Sequence, residues 1–285
     1  MLQYIWFGVV SGAFLLAATI GFALVSRVNK FLNIAHAEYM SIGALLTYEL
    51  SSAGVPFLVA APISVVGVAG LGLLVGRIVY EPMLTRGPEI LLIVSVGVVY
   101  LIHGTLEVFV APGTKTYDIP RLANWKIGSL DVGPYEVLVL AVAAACFAGL
   151  YLFLSKTSVG TSIRAISDNR DLAEIRGINL PLATRYVWLL SSGLAATAGI
   201  LLGVIGTLTT DLAFEQILLI LAVSILAGLG SVYGVAIAAI VIGVAMDVST
   251  MFIPSGYRTA VAFLVIIVVL MFRPQGLFGK VSRVA

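Results

Sequence analysis

Two histidines and a few carboxylates interrupt otherwise apolar runs, and their spacing limits the chemistry they could perform. His103 and Glu107 lie four residues apart, so on a helix they share a face and can pair. Asn33, His36 and Glu38 head an apolar stretch, where a helix start would offer free N–H groups and positive potential to a substrate carboxylate. Asp247 is embedded in VAMDVST near the end of one apolar run, and Asp211 with Glu215 opens another. On insertion scales an Asp, Lys or Arg at a membrane helix centre costs roughly 2.5 to 3.5 kcal/mol, so such groups face a bundle interior or a wet path. Asn33, His36, Glu38, His103, Glu107 and Asp247 are therefore the candidates for a translocation path. Helix capping and mutual pairing are the plainer roles. Two isolated histidines do not suggest a metal site.

Catalytic chemistry finds little to work with. The sequence has no Gly-x-x-x-x-Gly-Lys-Ser/Thr phosphate loop, no Gly-x-Ser-x-Gly elbow and no His-Glu-x-x-His zinc helix. Its single cysteine, Cys146, precludes an intrachain disulfide or a Cys-x-x-Cys pair. No catalytic residue and no cofactor are expected in this chain, and any ATP would have to be handled by another one.

The surrounding elements belong in lipid. Hydrophobic residues make up 60% of the chain and charged residues only 11%, against about 25% charged in soluble domains. A bilayer core of about 30 Å needs about 20 mostly apolar helical residues per pass. Apolar windows fall near Tyr4 to Val25, Tyr39 to Ser52, Phe57 to Val79, Ile90 to Ala111, Tyr135 to Leu154, Arg185 to Gly206, Phe214 to Leu229, Val232 to Thr250 and Tyr257 to Phe272. These predict an all-α, polytopic bundle of about nine spans, forming a single transmembrane domain over 1–285. The second and seventh windows are short, as broken or re-entrant segments would be. The apolar runs are continuous, which argues against the alternating strands of a membrane barrel. Small-residue sets such as Gly228, Gly230 and Gly234, or Ala195, Ala196 and Gly199, predict close helix packing.

Alternating passes place Arg27, Lys30, Arg77, Arg86, Lys156, Arg164, Arg170, Arg176, Arg185, Arg273, Lys280 and Arg283 on one side. Only Lys115, Arg121, Lys126 and Arg258 fall on the other, so twelve of the sixteen basic residues share a face. Basic loops favour the cytoplasm, which puts the N-terminus outside and the C-terminus inside a plasma (inner) membrane. Met1-Leu2-Gln3 lacks a basic signal-peptide region, and no Ala-x-Ala site follows the first window, so that span is expected to stay in the protein.

One cytoplasmic loop, 156–184, stands apart. It mixes Lys156, Arg164, Arg170 and Arg176 with Asp168, Asp171 and Glu174 rather than clustering base as a lipid-surface anchor would. The run from Asp168 to Arg176 predicts a two-turn helix capped by Asp168 and stopped by Gly177, with Pro181 beyond. Ile163, Ile166, Leu172 and Ile175 are expected to seat it while its charges face out, free for a soluble partner.

The segment TSIRAISDNRDLAEIRGINLPLATRYVWLLSSGLAATAGILLG resembles the cytoplasmic loop and following span of permease subunits from branched-chain amino acid ABC importers, the LivH/LivM type. NIAHAEYMSIGAL, GLGSVYGVAIAAIVIG and FRPQGLFGK agree in order, so the resemblance runs from about Asn33 to Lys280. One departure is Ala37, where relatives often carry Gly. The resemblance implies an ATP-driven importer whose permease pairs with a second, similar or identical permease subunit. It also implies two ABC ATPase subunits holding ATP and Mg, an extracytoplasmic substrate-binding protein, a lipid bilayer as surroundings and no nucleic-acid partner. Within it the loop couples to the ATPase, making Arg164, Asp168, Asp171, Glu174 and Gly177 the coupling candidates. The implied cargo is branched-chain or hydrophobic amino acids, with urea, short amides or other amino acids as family alternatives. A secondary transporter driven by an ion gradient, using Asp247, Glu107 or His103, is the rival from another class.

Overall fold

A computed structural model describes residues 1–120 and 122–278. Arg121, Lys280 and Arg283, assigned to faces above, lie outside the described residues. The chain runs α1 (Leu2–Asn29), α2 (His36–Ser52), α3 (Phe57–Val75), α4 (Pro88–Phe109), β1 (Trp125–Ile127), β2 (Leu130–Val132), α5 (Pro134–Lys156), α6 (Ser158–Asp168), α7 (Arg170–Ile175), α8 (Leu180–Ile205), α9 (Leu212–Ala227), α10 (Gly234–Ser249) and α11 (Arg258–Phe272). A π turn, Gly76–Tyr80, and a 3-10 turn, Glu81–Met83, extend α3. The two strands pair antiparallel, with Ile127 opposite Leu130.

Helix α1 is apolar on every side, and the fold uses that by making it the central post. Every residue from Gly12 to Ser26 is buried. A helix without a polar stripe has nowhere else to go but a protein core or lipid. Helices α10 and α8 flank it, while α4, α5 and α11 turn large apolar side chains outward, among them Leu101, Phe109, Leu152 and Met271. Lipid is as apolar as leucine, so close backbone packing rather than hydrophobicity must join these helices. The α1–α10 seam supplies it through glycines: a Cβ on Gly8 would lie 2.5 Å from the Val244 Cα, and one on Gly243 2.4 Å from the Gly12 nitrogen. A second close seam sets Gly199 of α8 against the Met40 carbonyl of α2. Gly228 and Gly230 form the α9–α10 turn with φ of 92° and 78°, and Gly230 also packs close to α1, where a Cβ would lie 3.1 Å from the Arg27 Cα.

Side-chain contacts gather the helix ends into two groups. Gln3 bonds Asp131, Lys115 meets Glu49 at 3.6 Å, and Lys115 and Leu208 exchange backbone bonds at one end. Arg27, Lys30 and Ser167 join at the other, where Leu277 also bonds the Leu226 carbonyl. The apolar helices run alternately between these ends.

Of the nine expected spans, six have the length of a full membrane pass. Among the described residues six helical stretches are long and apolar enough to cross a membrane: Leu2–Asn29, Phe57–Met83, Pro88–Phe109, Pro134–Lys156, Leu180–Ile205 and Ser255–Phe272. The windows read as the second, seventh and eighth spans became α2, α9 and α10, with 17, 16 and 16 residues. At 1.5 Å per residue they reach about 24 to 26 Å, short of the hydrocarbon core.

The shortness of α2 has a local cause. Lys30, in a left-handed conformation with φ 57°, ends α1, and residues 31–35 rise without helical bonds before α2 begins. His36 already touches the Ala18 carbonyl, eleven residues back from Asn29, so this segment climbs about 16 Å beside α1. Non-helical backbone at such depth survives only under protein cover. Phe31, Asn33 and Ala35 are buried, and the Ile34 N–H donates to the Ser95 hydroxyl at 3.3 Å.

Candidate functional site

The three polar residues heading α2 face different ways. His36 is fully buried; its Nε2 lies 2.9 Å from the Ala18 carbonyl, which can only accept, so Nε2 carries the proton and Nδ1 accepts from the Ser191 hydroxyl at 3.2 Å. Thus it pins α2 to α1 and α8. Asn33 Oδ1 accepts from the Tyr80 hydroxyl at 3.0 Å, and Tyr80 stacks on Trp188 at 5.0 Å between ring centroids. The π turn that follows α3 carries Tyr80 to this position. The first-turn N–H groups of His36 and Glu38 bond the Asn33 and Ala35 carbonyls, so they are already engaged.

Glu38 points instead to α4. Its side chain is 1% exposed and Oε1 lies 3.6 Å from His103 Nδ1. His103 Nε2 lies 3.6 Å from Glu107 and 3.7 Å from Asp211, the residue preceding α9. The spacing of His103 and Glu107 placed them on one helical face, as the structure has them. Glu38 and Asp211 join through tertiary packing with no signal in local sequence. Phe214 closes one flank, its ring edge-on to the imidazole at 4.7 Å.

Asp247 is held elsewhere. It meets Arg258 of α11 at 2.5 Å, and Arg258 also reaches the Ser11 hydroxyl at 3.4 Å. The sequence separates the two by a turn and gave no pairing signal. Replacing Asp247 by Ala should lower thermal stability by about 1 to 3 kcal/mol. This is below the 3 to 5 of a fully buried pair because Arg258 is partly exposed. Adding Arg258→Ala should restore part of the loss, and detergent melting curves of the single and double variants read the coupling.

The charged loop folds as two helices rather than one. Thr157 caps α6, its hydroxyl accepting from the Gly160 N–H at 2.9 Å. Asn169, not Asp168, caps α7: its backbone is extended and its Oδ1 accepts from the Leu172 N–H at 3.0 Å. Asp168 ends α6 and reaches Arg27 at 4.0 Å. Gly177 does stop α7, with φ 79° and bonds from Gly177 N–H to the Glu174 carbonyl and Ile178 N–H to the Ala173 carbonyl. Ile163 and Ile166 are buried, but Leu172 and Ile175, expected to seat the helix, are 51% and 81% exposed. A six-residue α7 buries only Ala173, so its remaining apolar side chains stay outside beside Asp171 and Glu174.

The loop is fastened to the central post. Arg27 Nε donates to the Ser167 hydroxyl at 3.1 Å and Lys30 Nζ to the Ser167 carbonyl at 2.8 Å. Partial burial lowers the Lys30 pKa from its ordinary value, neighbouring Arg27 lowers it further, and Asp168 opposes both. Arg164 lies one turn before Ser167, its guanidinium 3.3 Å from the Thr161 hydroxyl.

The sequence profile described as "Branched-chain amino acid transport system / permease component" matches residues 4–270. The chain is 25% identical over 296 residues to the high-affinity branched-chain amino acid transport system permease protein LivH of Escherichia coli K12, covering 98% of this chain and 96% of that protein. Identity and coverage are the same for BraD of Pseudomonas aeruginosa, also called a high-affinity branched-chain amino acid transport system permease protein. Among solved structures, PsaBC from Streptococcus pneumoniae in complex with Fab aligns with a TM-score of 0.53 at 12% identity, over 96% of this chain and 92% of that one. The last likeness concerns the fold alone.

Proposed function

The chain belongs to the permease-component family of branched-chain amino acid transport systems, and on that premise we propose that it forms half of the membrane path of an ATP-driven importer. Branched-chain and other hydrophobic amino acids are its cargo, as the names of its relatives suggest. A second permease subunit completes the path, two ATPase subunits bind ATP and Mg on the cytoplasmic face, and an extracytoplasmic binding protein delivers cargo outside. The observation that carries this reading is the α6–α7 loop: a capped helix fastened to α1, presenting Leu172 and Ile175 among Asp171 and Glu174. An exposed apolar pair ringed by charge suits a soluble protein partner better than water or lipid. Arg164, Asp168, Asp171, Glu174 and Gly177 form or frame this docking element in the proposal.

We place the loop in the cytoplasm, the N-terminus outside and the C-terminus inside, with α2, α9 and α10 completing nine passes. The segment 31–35 lets the short α2 reach the cytoplasmic side. Single cysteines at the exposed Thr116 and Asn169, introduced without Cys146, should then react with an impermeant maleimide from opposite membrane faces. Same-face labelling would defeat the odd count. Gentle purification of the tagged chain from its own host tests the assembly: an ATPase and a second permease should co-purify in fixed ratio. Recovery of the chain alone under conditions that keep related importers intact would contradict it.

A further inference from the structure

We propose that the mouth framed by Glu38, His103, Glu107 and Asp211 binds an ammonium group, the α-ammonium of the amino-acid cargo. This rests on the transport reading above and narrows it to one site. Glu38 is 1% exposed, yet neither carboxylate oxygen has a hydrogen-bond partner among the described residues. Its oxygen and the other two carboxylates stand 3.6 to 3.7 Å from the imidazole, beyond the 2.7 to 3.2 Å of a good hydrogen bond. The imidazole therefore crowds three carboxylates without satisfying any of them. Three carboxylates thus meet around one imidazole that bonds none of them, and a cation is what completes the site.

The shape favours an ammonium over a metal. Among the described residues no three His, Cys, Asp or Glu side chains converge as metal ligands. An ammonium brings three N–H donors on a small charge, which suits carboxylates arriving from α2, from α4 and from the start of α9. Glu107 and Asp211 are 60% and 68% exposed, so negative charge runs from an open rim to the buried Glu38. Phe214 offers an apolar wall beside the rim for an alkyl group. Glu38 lies eleven residues before Glu49, which pairs with Lys115 at the outer end, so the backbone of Glu38 is about 16 Å along α2 from that contact, while Asp211 and Glu107 lie nearer the rim.

The test uses the assembled transporter in lipid nanodiscs without its binding protein, read by saturation-transfer NMR on three probes. Leucine carries both charges, isoamylamine only the ammonium and isocaproate only the carboxylate. Transfer is expected to leucine and isoamylamine and not to isocaproate. Glu38→Gln and Asp211→Asn should each weaken amine binding about tenfold, as loss of a charged hydrogen bond does. Should the buried Glu38→Gln variant fail to assemble, the exposed Asp211→Asn decides. Equal transfer to isocaproate, or amine binding unchanged in an assembled variant, would overturn the proposal. Displacement of the amine by sodium chloride but not by choline chloride would assign the mouth to an inorganic cation and overturn it too. If amines bind as expected while the complete complex imports no leucine, the transport reading fails and the site stands. Leucine import without amine binding is the reverse result.

Discussion

Gly243→Leu should leave almost no folded protein. A side chain there starts 2.4 Å from the Gly12 nitrogen and 2.5 Å from the Gly8 carbonyl, both backbone atoms of the central helix, so no rotamer can relieve the clash. Overpacking a core ordinarily costs about 1 to 3 kcal/mol because side chains can shift. Here α10 itself would have to leave α1, and with it the most extensive helix–helix packing in the fold. The cost exceeds what a marginally stable protein of about 5 to 15 kcal/mol tolerates without a large loss of yield. Fluorescence-detected size exclusion of detergent extracts measures it. Gly97→Leu is the control: a Cβ on that α4 glycine meets nothing within 4 Å, and its yield should match the parent. Equal yields for both variants would mean the α1–α10 seam is not the post of the fold.

The second large effect is functional. Gly177→Val should insert and fold yet lose transport at least about tenfold. At φ 79° the left-handed stop of α7 disfavours any L-residue by about 1 to 2 kcal/mol, and a β-branched one most. The substituent would meet no neighbour within 4 Å, so the disturbance stays in the turn and α7 swings or frays. A misdirected α7 removes Leu172, Asp171 and Glu174 from one face together. Gly177→Asn separates this mechanism from simple intolerance, since asparagine visits the left-handed region and should keep most uptake. Glu174→Lys reverses an exposed charge on the same face and should impair uptake without touching the turn. Normal transport in Val and Lys variants that still hold the ATPase would reduce α6 and α7 to a connector.

Much of this architecture was legible in the sequence because lipid imposes simple rules. Continuous apolar runs located the helices α1 to α5 and α8 to α11, and Gly177 marked the end of α7 because a helix that stops before Pro181 needs a residue free to adopt positive φ. What stayed hidden depended on contacts between distant segments. The apolar windows stopped at Val25 and resumed at Tyr39, and nothing local showed that 31–35 climbs beside α1 under protein cover and shortens α2. Asp168 and Asn169 are equally good capping types, and only the break between α6 and α7 chose Asn169. His36 has the chemistry of a binding site, but Ala18 and Ser191 hold both its ring nitrogens, whereas Tyr80 engages only the Oδ1 of Asn33. Conversely Asp211 reads as a plain helix start, and the approach of α9 to α4 sets it beside His103. Leu172 and Ile175 have the periodicity of a buried face on a helix too short to bury one.

ATP hydrolysed by partner subunits should move amino acids through this chain. Uptake of radiolabelled leucine by proteoliposomes holding the co-purified complex tests it, with the binding protein outside, ATP and Mg inside and no ion gradient. Accumulation should require enclosed ATP and fall to background with a non-hydrolysable analogue, while an imposed sodium or proton gradient alone drives none. Leucine accumulation driven by an ion gradient in vesicles without ATP would contradict the account and make the chain a secondary transporter.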